Sequence, residues 1–116
     1  MDSKSRAYQF ALKMIGFIDK LPNDMSTQII AKQLLRAATS IGANIIEAQA
    51  SPSRKDFTNF FNHSLKSANE TKYWLMLLKD ANKADKQTLI SLLTEVEQIA
   101  NILGSSILTL KHRKPL

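Results

Sequence analysis

The sequence contains no cysteine, and it has only three glycines and three prolines among its 116 residues. Without cysteine, disulfide bridges and thiolate metal sites are excluded, and the composition suits a reducing compartment such as the cytoplasm. So few glycines and prolines cannot supply the many turns of an all-β domain. The length is that of one domain with one core, so we expect residues 1–116 to form a single helical unit.

Long apolar runs are also missing from the chain. No stretch approaches the roughly 18 consecutive apolar residues that a membrane-spanning helix needs. The first residues mix polar and apolar side chains and do not form the continuous apolar region of a signal peptide. We therefore expect a cytoplasmic protein with no membrane partner.

The motifs that carry common enzymatic chemistry are absent as well. Di-iron bundles use a Glu-x-x-His pair, but Phe60 and Thr109 stand three residues before His63 and His112. The chain has no glycine-rich phosphate loop, no nucleophile elbow and no His-Glu-x-x-His motif. We therefore predict no catalytic residues, no metal and no cofactor.

Positive charge exceeds negative charge, with 16 lysines and arginines against 10 acids and a net charge of +6. This balance favours an anionic partner, of which nucleic acid is the usual one. The basic residues are scattered, and no recognition-helix or base-stacking pattern accompanies them, so we expect binding without sequence specificity. The candidate nucleic-acid-binding residues are Lys32, Arg36, Lys66, Lys72 and Lys79.

The chain does contain four segments with helical periodicity. Short turns separate these predicted helices, which cover residues 5–20, 24–50, 54–82 and 86–111. In the first helix, Tyr8, Leu12, Ile15 and Ile18 recur at helical spacing and define one apolar face, which Met14 and Phe17 widen. Asp24, Ser53 and Asp85 are the expected caps at the starts of the later helices; Ser26 is the alternative to Asp24. Helices joined by such short connections must be antiparallel, which predicts an all-α, up-down-up-down four-helix bundle.

The second predicted helix has apolar residues on two sides. One stripe runs through Leu34, Ile41 and Ile45, and a second contains Leu35 and Ile46. Such a helix is either central to its own bundle or also packed against another subunit. Residues 73–78 of the third helix are apolar almost all round, which also indicates deep burial or an interface. The candidate oligomer interface is therefore Leu35, Ile46 and Trp74. Gly104 in the fourth helix is a further place where a close approach is expected.

Polar residues flank the core stripe of the second helix. Antiparallel pairing should place Arg36 near the level of Glu70 on the third helix. The favoured interpretation is a hydrogen-bonded network that fixes the register between the two helices, and a ligand site is the alternative. The members of this structural polar network are Arg36, Asn44, Glu47, Glu70 and Tyr73.

Two motifs in this region are distinctive: Ser-Ile-x-x-Asn-x-x-Glu at residues 40–47, and Glu-Thr-x-Tyr-Trp-Leu at residues 70–75. In these motifs, and in helix order along nearly its whole length, the chain resembles the bacterial four helix bundle protein family. That family is also called the S23 or 23S rRNA intervening-sequence protein family. Ala48 follows the glutamate where many members have glycine.

The resemblance implies an antiparallel bundle that assembles as a ring-shaped homopentamer. It also implies kinship with the accessory variability protein of diversity-generating retroelements, a basic pentameric barrel that binds a reverse transcriptase and nucleic acid. The polar network residues are the family's polar signature, for which we expect structural or interface roles.

Three hypotheses follow from the sequence. The leading one is a non-enzymatic oligomer that binds RNA or DNA through a basic ring surface, with a protein as a possible further partner. The second is a structural or protein-interaction module whose charge is incidental. The third, an enzyme or metal protein, requires a pocket with clustered ligands.

Overall fold

The computed structural model describes residues 2–112 and contains four long helices. They are α1 (Ser3–Ile18), α2 (Met25–Gln49), α3 (Arg54–Asp80) and α4 (Lys86–His112). The predicted fold class is confirmed, and the helix bounds differ from the predicted ones by a few residues at most. The basic tail residues Arg113 and Lys114, predicted to follow the last helix, lie outside the described residues.

Each helix packs against the next one along the chain, and α1 also packs against α4. This closed order of neighbours is the up-down-up-down arrangement that short connections impose. The bundle is a rod of 54 × 21 × 21 Å. The starts of α1 and α3 therefore lie at one end of the rod, together with the ends of α2 and α4.

The helices begin where the sequence places capping side chains. Asp24 accepts a hydrogen bond from the backbone N–H three residues on at 3.3 Å, Ser53 does so at 3.1 Å, and Asp85 at 2.9 Å. These bonds satisfy N–H groups that have no partner inside the helix. All three expected caps are present, and Asp24 rather than Ser26 caps α2.

The end of α3 is set by Asn82, which has a positive φ of 56°. Its N–H donates to the carbonyl of Lys79, and the next N–H, of Lys83, donates to the carbonyl of Leu78. This pair of bonds is the Schellman termination of a helix, in which asparagine is one of the few residues that tolerates the left-handed conformation.

The core stripe predicted for α2 is buried. Leu34, Ile41 and Ile45 are fully covered, and the small residues Ala37 and Ala38 lie between them. The small side chains let α1 and α3 approach α2 from two sides. Of the second stripe, Leu35 and Ile46 stay exposed. Within one copy, α2 is thus central to its own bundle and still has an apolar outer edge.

The apolar face predicted for α1 points into the core only in part. Met14 is fully buried and Phe17 and Ile18 pack against the core, but Tyr8 and Leu12 are exposed. Ala7 and Phe10, which were not part of the predicted face, are fully buried. The reason is that α1 has apolar residues at helical spacing on two sides. The side with the small Ala7 fits against α2, where a Cβ added at Gly42 would lie only 3.5 Å from the Ala7 Cβ. The bulkier Tyr8 side is left outward.

The close approach expected at Gly104 is not present in the single chain. A Cβ added there would meet no heavy atom within 4 Å, and the same holds for Gly16 in α1. Neither glycine is needed for packing within the described residues.

Candidate functional site

A polar cluster joins α2 to α3 at the level predicted from antiparallel pairing. The Glu70 carboxylate accepts hydrogen bonds from the Arg36 guanidinium and, at 2.9 Å, from the Trp74 indole Nε1. Arg36 Nε also donates to the Gln33 side chain at 3.1 Å. The Tyr73 ring lies edge-on to Trp74, with ring centroids 5.0 Å apart. One carboxylate thus links two helices and fixes the orientation of the indole.

The other two members of the predicted network do not reach this cluster. Asn44 Nδ2 donates to the carbonyl of Ser40 at 2.8 Å, a bond within α2 itself. Glu47 is exposed and takes no part in the side-chain hydrogen bonds of residues 2–112. Of the five predicted residues, Arg36 and Glu70 are therefore paired, Tyr73 adjoins them through Trp74, and Asn44 and Glu47 lie apart.

A second polar link between α2 and α3 is formed by Ser64. Its hydroxyl is fully buried and donates to the carbonyl of Ile41 at 2.8 Å. The sequence signal for this contact was a lone serine on the apolar face of α3, which also fits simple close packing. Within the described chain, every fully buried side-chain nitrogen or oxygen has a hydrogen-bond partner.

Most of the candidate nucleic-acid-binding residues are engaged in ion pairs. Arg36 pairs with Glu70, Lys72 with Glu97 at 2.8 Å, and Lys79 with Asp80 at 3.4 Å. Lys32 and Lys66 are exposed and belong to none of the ion pairs found in residues 2–112. A single copy therefore offers little concentrated positive charge along the sides of α2 and α3.

The candidate interface residues lie in two places. Leu35 and Ile46 are exposed on α2, whereas Trp74 is partly buried, packs against the core and donates to Glu70. Trp74 thus belongs to the polar cluster between α2 and α3. Ile46 lies beside the outward side of α1, where it lines a groove together with Tyr8.

An apolar surface, here called the α1–α2 face, results from this placement. Its members are five of the exposed apolar side chains of the two helices, namely Tyr8, Leu12, Ile15, Leu35 and Ile46. Between Tyr8 and Ile46 runs a groove of about 400 Å³ whose floor contains Ala7 and Gly42. Residue 35 is one helical turn from Thr39, which also lines the groove, so the face continues along α2.

The described residues contain no cluster of metal-ligating side chains. No group of three or more histidine, aspartate or glutamate side chains in residues 2–112 could hold a metal ion. The lowered pKa values belong to aspartates that cap helices: the backbone N–H of Ser5 lowers the pKa of Asp2, and that of Thr88 lowers the pKa of Asp85. Such shifts indicate capping.

Within the same residues, no helix combines the length and the apolar character required to cross a membrane.

Comparison with known proteins gives matches to a family model and to solved structures. The model of a family described as "23S rRNA-intervening sequence protein" matches residues 1–105. A crystal structure from Bacteroides thetaiotaomicron, described as a protein with unknown function from the S23 ribosomal protein family, superposes with a TM-score of 0.87. The two sequences are 38% identical, and the alignment covers 92% of this chain and 96% of the other. No curated protein matches the chain.

Proposed function

The chain belongs to the 23S rRNA-intervening sequence protein family, and from this premise we propose that it is a non-enzymatic, oligomeric nucleic-acid-binding protein. Copies associate through the α1–α2 face and combine their positive charge to bind RNA or DNA without sequence specificity. The cysteine-free composition is consistent with function in the cytoplasm. Five copies is the number that the family resemblance implies.

The exposure of the α1–α2 face is the observation that carries the proposal. Tyr8 is 62% exposed, Leu12 48%, Ile15 44% and Ile46 52%. Contiguous apolar surface of this kind usually marks a protein interface. A second copy fits as the occupant, because the face has both protruding side chains and a groove floored by Ala7 and Gly42. When the protruding side chains of one copy enter the groove of the next, the contact is head-to-tail, which is the kind of contact that can close into a ring.

The charge of the molecule explains why assembly and binding are coupled in this proposal. Nucleic-acid affinity rises with the number of phosphates neutralised. One copy has a net charge of +6, but many of its cations are paired with acids. Lys32 and Lys66 are exposed and outside those ion pairs. Because a ring repeats these two lysines in every copy, it contacts more phosphates than one copy does and binds nucleic acid more tightly.

The test combines a mass measurement with a binding measurement. Light scattering should give a solution mass several times the 13.0 kDa of one chain. Fluorescence anisotropy with labelled single-stranded RNA should show binding at low salt, with log K falling linearly against log salt concentration. A mass of one chain, or binding that does not change with salt, would contradict the proposal.

The alternative is a protein-interaction module with no nucleic-acid role. The ion pairs of Arg36, Lys72 and Lys79 favour it, because these side chains are satisfied within the molecule. The same two measurements separate the hypotheses. A multimeric mass without any salt-dependent binding would support the alternative.

A further inference from the structure

We propose that the end of the rod where α3 begins and α4 ends contains a site for the phosphate groups of a nucleic-acid backbone. This inference deepens the proposed function and rests on it. It names a location that is distinct from the lysines along the sides of α2 and α3.

The site is a depression of about 400 Å³ between the two helices. Three cationic side chains line it: Arg54, Lys55 and Lys111. Two neutral amides, Asn59 and Asn62, lie in the same lining, and no carboxylate of residues 2–112 does. The depression therefore combines positive charge with neutral N–H donors, the groups that bind phosphate oxygens.

Helical spacing explains why these groups converge. Lys55, Asn59 and Asn62 are separated by four and three residues, so they lie along one side of α3. Lys111 reaches the same depression from the last turn of α4. Because both helices are fixed by the bundle, the donors are held in place rather than presented on a mobile loop.

Lys55 and Lys111 differ from two lysines of the larger groove at the opposite end of the rod. That groove, of about 910 Å³, has Lys13 bonded to Glu95 at 2.7 Å and Lys83 bonded to Asp24 at 3.1 Å. Two of the three cations in its lining are thus paired with acids of the protein itself, and the third is Lys20.

By contrast, Lys55 and Lys111 are exposed and absent from every ion pair of residues 2–112. Their charge remains available to a ligand. A structural role for Lys111 is to offset the negative end of the α4 dipole. That role predicts an effect on stability and none on nucleic-acid affinity.

The first test compares two double variants of equal charge. K55A/K111A removes two cations from the depression, and K20A/K86A removes two exposed cations, also outside the described ion pairs, from the opposite end. Binding of a labelled 20-nucleotide single-stranded RNA should weaken about tenfold or more in the first variant. The slope of log K against log salt should become shallower by about 0.7 for each lost phosphate contact. In the second variant, the RNA affinity should fall by less than about threefold.

A substitution that leaves the charge unchanged distinguishes a defined phosphate site from general electrostatic attraction. N59A/N62A leaves the charge unchanged but removes two amide donors, whereas N69A removes one from an exposed position elsewhere on α3. We expect weaker RNA binding in the first variant and wild-type binding in the second. Light scattering on each variant confirms that the assembly is unchanged.

The outcomes distinguish this inference from the proposed function. Equal losses in both lysine variants, or no loss in N59A/N62A, would overturn the site and leave the proposed function standing. A wild-type protein that binds neither RNA nor DNA at low salt would overturn both. The same variants are also tested with DNA of the same sequence. If K55A/K111A loses affinity for RNA and DNA equally, the site recognises phosphate alone; if only RNA affinity falls, RNA is its ligand.

Discussion

At the scale of single residues, Glu70 is the side chain on which most of the α2–α3 polar contact depends. E70A leaves the Trp74 indole N–H without its acceptor and the Arg36 guanidinium without its carboxylate. An unsatisfied, partly buried donor costs about 1–3 kcal/mol. We expect chemical denaturation to show a loss of that size, and the emission of Trp74, the single tryptophan, to shift in the folded protein.

E70Q is the matched control for this prediction. Glutamine keeps an oxygen that can accept from the indole, so most of the stability and the emission maximum of Trp74 should be retained. If E70A is as stable as the wild type, Glu70 is a surface residue whose contacts contribute nothing measurable, as many exposed ion pairs do.

Asp24 caps α2 and accepts a hydrogen bond from Lys83, so we expect the start of this helix to be sensitive to acid. The hydrogen bond from Lys83, followed by those from Thr27, holds the pKa of Asp24 well below its ordinary value. A lowered pKa in the folded state stabilises the protein above the unfolded-state pKa, near pH 4, and this contribution is lost as the pH falls further. Thermal melts from pH 7 to pH 2 should therefore show a smaller acid-induced loss in D24N than in the wild type.

D19N serves as the control, because Asp19 follows α1 and its side chain forms none of the hydrogen bonds found in residues 2–112. Its melting profile should fall with acid as steeply as that of the wild type. A D24N profile identical to the wild type would show that the cap and the bond from Lys83 do not contribute to the pH dependence.

The residue contacts differ in how far the sequence could predict them. The Arg36–Glu70 level follows from counting outwards along two helices joined by a short turn. The hydrogen bond from Trp74 to the same carboxylate joins residues four positions apart in one helix, so helical spacing can predict it as well. The pairing of Lys72 with Glu97 cannot be predicted in this way, because it depends on how α3 and α4 are rotated against each other.

At the scale of elements, α1 shows why periodicity locates a helix better than it locates the buried side. Tyr8, Leu12 and Ile15 have the spacing of a core face, but so do the residues that are buried. The choice between the two sides depends on fit. Ala7 can lie against Gly42 on α2, and a tyrosine ring in its place could not.

The helix α4 offers a test of whether its glycine has a role in packing. G104A adds a Cβ that meets no heavy atom within 4 Å and removes the entropic cost of glycine in a helix. We expect the free energy of unfolding to rise by about 0.5–1 kcal/mol for each chain. G16A in α1 is the companion variant, since its added Cβ is equally unobstructed. A loss of stability in G104A accompanied by a lower solution mass would instead place Gly104 at a contact between copies.

At the scale of the whole molecule, the bundle topology was predictable because connections of a few residues leave antiparallel packing as the only choice. The interaction surfaces were less predictable from the sequence. The sequence indicates surplus apolar surface on α2, but only the rotation of α1 shows that its Tyr8 side lies next to Ile46. Likewise, the depression between Lys55 and Lys111 joins residues 56 positions apart, which no local pattern connects.

The proposed coupling between assembly and binding leads to a prediction that touches no basic residue. Y8E and I46E each put a carboxylate into the α1–α2 face, where a second copy would have to bury it, and burial of an unpaired charge opposes association. The solution mass should fall toward 13.0 kDa. RNA affinity should fall with it, and the salt dependence should become shallower, because each complex then neutralises fewer phosphates.

The control variant L108E adds the same charge at an exposed residue of α4. It should keep the multimeric mass and lose only the small affinity that one added carboxylate explains. Unchanged RNA binding by a monomeric Y8E protein would show that one copy suffices, and that the positive charge acts without assembly.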